Sequence, residues 1–127
     1  MEKNEILKDG TKVLIRDQTG DDLDILMDFY LALPDEDRRY LRVDVTDRVA
    51  VEQRLKLSEG GYLFRRGALD NDKIVATGAL EIFPDAWRKH QGEIRVIVAE
   101  GFRRKGLGMV MMRELYLMAL DLSLIHI

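Results

Sequence analysis

EIRVIVAEGFRRKGLGMVMMRELYLMAL, residues 93 to 120, passes from strand-forming residues through a basic loop into a helix pattern. Glu93-Ile-Arg-Val-Ile-Val98 is rich in branched side chains that favour strands. Residues 99 to 105 form a loop with four charges. From Gly106 to Leu120 only Arg113 and Glu114 interrupt an apolar surface, which is the pattern of a helix buried on most sides. The first turn of a helix leaves about four N–H groups without intrahelical partners. The helix dipole adds partial positive charge there. Gly106 and Gly108 have no Cβ to hold a bulky anion off the backbone. Arg103, Arg104 and Lys105 raise the local positive potential. The sum is a site for a phosphate or diphosphate at a helix N-terminus. A three-residue basic run is commonly just a solvated loop. Glycine at 108, however, costs about 1 kcal/mol relative to alanine inside a helix, and that cost calls for a reason.

Two familiar phosphate motifs do not fit. A dinucleotide fingerprint needs a third glycine where Met111 stands. A P-loop needs Gly-Lys-Ser/Thr, and Gly108 is followed by Met109 and Val110. Arg-x-x-Gly-x-Gly does fit, through Arg103, Gly106 and Gly108.

Outward from this segment, Thr11–Val13–Ile15 alternates with Lys12, Leu14 and Arg16, so the first strand is expected there. Thr19 with Asp22 resembles a capping box. Leu23, Leu26, Met27 and Tyr30 recur at helical spacing until Pro34. Asp35 to Arg42 is charged and reads as a loop or short helix. Thr46 is the expected cap of a second helix reaching about Leu57, and Ser58 to Gly61 break it. Tyr62–Phe64 and Lys73–Phe83 flank the polar turn Asp70–Asn71–Asp72, an antiparallel hairpin. Pro84 to Gln91 is a loop. The order β-α-α-β-β-β-α implies an α+β fold, helices packed around a mixed, mostly antiparallel sheet.

Composition narrows the chemistry. The chain has 127 residues, one domain in length, with 20 Lys and Arg against 23 Asp and Glu, a net charge of −3. That balance argues against a nucleic-acid partner, as does the lack of an aromatic platform beside residues 103 to 105. No cysteine is present, which removes disulfides and thiol nucleophiles. Two histidines, His90 and His126, are too few for a His-based metal site, and no metal is expected. No apolar run approaches the ~20 residues of a membrane span, and Met1 to Lys8 is not a signal peptide. A cytoplasmic protein with no membrane partner is the resulting expectation.

The Arg-x-x-Gly-x-Gly segment, with its preceding strand and following helix, resembles the acyl-CoA-binding motif of the GNAT superfamily of N-acetyltransferases. The element order matches that superfamily from about Gly10 to Leu120. Residues 10–16, 34–38 and 43–47 resemble one bacterial branch, which includes domains similar to those of protein-lysine acetyltransferases. The resemblance implies acetyl-CoA as acyl donor, its diphosphate held by backbone N–H groups of Arg104, Lys105, Gly106, Leu107, Gly108 and Met109, with Arg103 also in the CoA-binding set. It implies that the pantetheine arm pairs with the backbone of Val96, Ile97 and Val98 as an added strand. An N–H near Ile97 or Val98 would face the thioester oxygen. A free amine would attack the thioester directly. Glu93 stands where many members keep a catalytic glutamate, and Glu81 on the neighbouring strand is the second candidate base. The acceptor implied is a small-molecule amine or a protein lysine. The rival of another class is a non-catalytic acyl-CoA-binding regulatory or sensor domain. Oligomeric state is not readable from the sequence.

The resemblance also sets an expectation about the end of the chain. Domains of this superfamily continue with a fifth strand, a fourth helix and further strands, so residues 1–121 are expected to be a partial domain. Leu122-Ser-Leu-Ile-His-Ile127 is what CTG TCT CTT ATA CAC ATC encodes, the end sequence of a transposon used to fragment DNA for sequencing. A non-biological tail at 122–127 is therefore expected, and any other codons there would dispose of it. The alternative is the start of a fifth strand, since the segment is β-prone. Tyr116 lies on the expected CoA-binding helix and is not assigned the role of general acid. Trp87, His90, Arg38, Arg39 and Arg42 are read as surface residues.

Overall fold

The computed structural model describes residues 2–39, 41, 44–57, 63–82 and 92–121. Five strands form one sheet in sequence order: β1 (Glu2–Ile6), β2 (Lys12–Asp17), β3 (Leu63–Asp70), β4 (Lys73–Ile82) and β5 (Gly92–Val98). Every neighbouring pair is antiparallel. Helices α1 (Leu23–Ala32), α2 (Asp35–Arg38) and α3 (Arg48–Leu57) follow β2, and α4 (Leu107–Asp121) follows β5.

The sheet separates two cores. On one face Leu26, Phe29 and Tyr30 of α1 and Val51 and Leu55 of α3 bury against Leu69 and Ile74. On the other, Leu107, Met111 and Leu115 of α4 bury against Val13, Ile15, Ala68, Ala76 and Leu80. The period-two alternation of β2 thus does what the sequence implies: Val13 and Ile15 are sealed beneath α4. A β-bulge between Ala68 and Leu69 lets Val75 and Ala76 both turn toward α4. Gly78 is required for close approach, since a Cβ there would stand 2.6 Å from Leu115 Cδ1.

Three expectations are corrected. First, the sheet begins at β1 rather than at Thr11. The hairpin turns through Asp9–Gly10, with Gly10 at φ +88° and the Thr11 N–H on Asp9 Oδ1 at 3.0 Å. Second, the side chain that caps α3 is Asp47, accepting from the N–H of Val49 at 3.0 Å, while Thr46 bonds to Asp44. Third, α4 starts at Leu107, one residue after Gly106, and residues 100–102 form a 3-10 turn. The Thr19–Asp22 capping box is present on the 3-10 turn that leads into α1. Asp22 also takes both terminal nitrogens of Arg16 at 2.8 Å, and that guanidinium holds its carboxyl below the usual carboxylate range. Asn71 and Asp72, at φ 50° and 66°, form the tight turn of the β3–β4 hairpin as expected.

The two sides of α4 have opposite characters. Leu115 is fully buried, whereas Met109, Met112, Tyr116 and Leu117 are exposed. Leu115→Ala is expected to lower unfolding free energy by about 2–5 kcal/mol. Leu117→Ala is expected to change it by about 0.5 kcal/mol or less. Urea denaturation of the two variants measures the contrast, and equal losses would show α4 docked the other way round.

Candidate functional site

The loop between β5 and α4 is built to leave its amides bare. Arg104 has φ +66° and Gly106 φ +86°, so the backbone enters the left-handed region twice in three residues. Among the described residues, the N–H groups of Arg104 through Met109 find no acceptor, and the first helical bond is Val110 N–H to Gly106 O at 3.1 Å. Six donors without a described acceptor therefore lie at and before the positive end of a 15-residue helix. Gly108 sits in the first turn, and a Cβ there would meet only Val98 Cγ2, at 3.8 Å.

The loop is braced from two directions. The N–H of Lys8 donates to Lys105 O at 3.2 Å. Lys105 Nζ pairs with Asp9 at 2.9 Å and lies 4.8 Å from the centre of the Phe102 ring. Asp9 is held well below the usual carboxylate range, chiefly by Lys105 and by the Thr11 N–H. Arg103 pairs with Asp37 of α2 and donates Nε to Val98 O at 3.3 Å. Asp37 raises the basicity of the Arg103 guanidinium. Of the three expected cations, Arg104 alone has no partner among the described residues, and it is exposed.

β5 pairs with β4 and, among the described residues, with nothing else, so its outer edge is open. Ala99 N–H donates to Val75 O at 2.8 Å. The register from Ala76↔Val98 to Ile82↔Gly92 is unbroken. Antiparallel pairing alternates, so the main chains of Glu93, Arg95 and Ile97 turn toward β4, and those of Ile94, Val96 and Val98 turn outward. The Val98 carbonyl that accepts Arg103 obeys this parity. Of the three expected pantetheine contacts, Val96 and Val98 present their amides to the edge and Ile97 does not.

Glu93 and Glu81 are directly opposite on β5 and β4 and share the face beneath α1 and α3. Glu81 is spoken for: Arg54 Nη1 and Arg95 Nη2 each lie 3.3 Å from its carboxylate. Glu93 is half-buried. Like charges opposite one another are unfavourable, and the two arginines on Glu81 offset that.

A family model for the acetyltransferase (GNAT) family matches residues 23–126. This chain belongs to the GNAT family. Similar solved structures share the GNAT fold. The GNAT domain of PAT from S. lividans has a TM-score of 0.80 at 20% identity, over 94% of this chain and 72% of that one. A ribosomal-protein-alanine N-acetyltransferase from Brucella melitensis has 0.71 at 24%, over 87% and 68%. PaiA N-acetyltransferase from Thermoplasma acidophilum, solved with coenzyme A, has 0.67 at 14%, over 88% and 74%. No curated protein matches the chain. The family and the fold support acyl-CoA N-acetyltransferase activity in general.

On the opposite face of the sheet this GNAT chain carries a polar cluster that the sequence reading missed. Arg65 Nε donates to Gln18 Oε1 at 3.0 Å, and Arg65 Nη2 donates to the Tyr30 hydroxyl at 2.8 Å and to Thr77 Oγ1 at 3.3 Å. Arg65, Tyr30 and Thr77 line a cleft with an empty volume of about 590 Å³, mouth included, together with Arg54, Ala79 and Arg95. Tyr116 is exposed on α4, away from this face, and Arg38 pairs with Asp35. Trp87, His90, Arg42, the loop 84–91 and the segment 122–127 lie outside the described residues. Among the described residues no group of acidic or histidine side chains could hold a metal ion, and no helix is long and apolar enough to cross a membrane.

Proposed function

We propose that the chain transfers an acetyl group from acetyl-CoA to a primary amine, by direct attack of the amine on the thioester. The observation that carries this reading is the set of six amides at residues 104–109 that have no acceptor among the described residues, beside a strand edge that no described strand covers. A diphosphate fits those amides by charge, by the absence of side-chain bulk at Gly106 and Gly108, and by Arg104, which has no partner among the described residues. An extended amide-bearing arm fits the outward amides of Val96 and Val98.

Bound acetyl-CoA supplies a thioester carbonyl, which is the electrophile. The Val98 N–H, turned to the edge, is the donor we assign to the oxygen that gains charge as the amine adds. Glu93 takes a proton from the incoming ammonium, directly or through one water. The amine nitrogen then forms the bond to the carbonyl carbon, the carbon–sulfur bond breaks, and the sulfur leaves as thiolate and takes up the second proton, which the nitrogen sheds as the amide forms. Glu81 holds Arg54 and Arg95 in place and is a positioning residue in this scheme.

Calorimetry of the chain with CoA tests the reading. Binding is expected, and its affinity is expected to fall as salt rises, because phosphate contacts are involved. Absence of binding at any salt concentration removes the proposed function. Release of CoA thiol in the presence of an amine separates an enzyme from a domain that only binds.

A further inference from the structure

We propose that the cleft beneath α1 and α3 is the acceptor site, and that it takes an amine carrying a carboxylate, which Arg65 and Arg95 receive. The proposal rests on the acetyltransferase reading for its function, but not for its binding chemistry.

Arg65 is only 9% exposed, yet its hydrogen-bond partners are Gln18, Tyr30 and Thr77, all neutral. A guanidinium cannot shed its proton in a protein. A buried charge without a counter-charge is costly unless something else supplies one. Its Nη1 takes part in none of those bonds. The Tyr30 hydroxyl, which accepts from Arg65, keeps its own proton for a second acceptor.

The sheet register places a second cation on the same row. Arg65 is opposite Ala79, and Ala79 is opposite Arg95. The small alanine between two arginines leaves a notch in the cleft floor. Arg54 approaches from α3. Three arginines against two carboxylates on this face of the sheet, Glu81 and Glu93, leave the described residues around the cleft a balance of +1 (three minus two). A polyamine or an aminoglycoside, being a polycation, is repelled by that balance. A protein lysine brings no anion to it. An amino-acid-like acceptor, whose carboxylate arginines can receive, fits that charge. The row of Arg95 lies between Glu93 on one side and Val98 on the other, so a carboxylate held there leaves the amine within the reacting region.

The test titrates the intact chain with N-acetylglycine and, separately, with N-acetylglycinamide, by calorimetry without acetyl-CoA. The acid is expected to bind and the amide to bind about thirtyfold more weakly. Arg65→Met is expected to lose the acid's affinity by a similar factor. Arg95→Gln, at a half-exposed position, is expected to weaken it as well and serves where the first variant folds poorly. Equal affinity for acid and amide overturns the proposal, as does an affinity untouched by both substitutions. With acetyl-CoA added, α-amino acids are expected to drive thiol release better than their amides or spermidine. Release with spermidine alone overturns the acceptor class and leaves the acetyltransferase reading standing. Acid binding without thiol release from any amine upholds the anion site and defeats that reading instead.

Discussion

Gly108→Glu is expected to abolish measurable CoA binding while leaving the protein at least as stable as before. The two effects have opposite signs because they come from different physics. Glycine inside a helix costs about 1 kcal/mol relative to alanine, and a carboxylate in the first turn is favoured by the helix dipole by about 0.3–1 kcal/mol. The added Cβ meets only Val98 Cγ2, at an ordinary 3.8 Å, so nothing in the fold opposes the change. The same carboxylate stands where a diphosphate would dock and repels it. Gly106→Ala reverses the pattern. At φ +86°, with Lys8 Cε 3.2 Å from the new Cβ, it is expected to destabilise the chain by about 1–2 kcal/mol. Melting curves and CoA titrations on both variants check the argument. Unimpaired CoA binding by a well-folded Gly108→Glu variant means the diphosphate does not lie on these amides.

What the sequence revealed, and what it hid, follows from how local the signal is. The β5–loop–α4 segment is contiguous, so its glycines, its basic run and its switch from strand to helix pattern could be read together. The β3–β4 hairpin was equally visible, because its turn residues sit between two apolar runs. β1 was obscured because its alternating half-buried positions at the sheet edge are filled by the charged Lys3 and Glu5, so no apolar period marks it. Its one usable sign was Asp9–Gly10, a hairpin dipeptide placed ahead of the first recognised strand. β1 is tied down by ion pairs instead, Lys3 to Glu114 at 3.4 Å and Arg113 to Glu5. The Arg65 cleft was invisible for a different reason. Tyr30, Arg65, Thr77 and Arg95 come from four elements, and only the sheet register aligns them. In the sequence Arg65 and Arg66 look alike, yet Arg65 is turned inward beneath α1 while Arg66 faces the other side and pairs with Asp17 at 3.0 Å. The parity of β5, which separates Val98 from Ile97, likewise needs a pairing partner before it can be assigned.

Glu93→Gln is expected to lower kcat at neutral pH by about 10²–10⁴-fold, with CoA affinity unchanged. Most of the acceptor amine arrives protonated. An amine of pKa about 10.4 is free in roughly one molecule in 2,500 at pH 7, so a protein without a base must wait for that fraction. The deficit should therefore shrink as pH rises. The variant's kcat is expected to climb about tenfold per pH unit until the amine's own pKa is reached, while the parent enzyme levels off earlier. Glutamine keeps the size and hydrogen-bonding shape of glutamate, so a change confined to kcat and its pH profile points to the proton and not to packing. Glu81→Gln supplies the contrast. It loosens Arg54 and Arg95, each 3.3 Å from the Glu81 carboxylate, and is expected to raise KM for the acceptor more than it lowers kcat. If Glu81→Gln instead shows the steep pH profile and Glu93→Gln does not, the base is Glu81, and the two glutamates exchange roles.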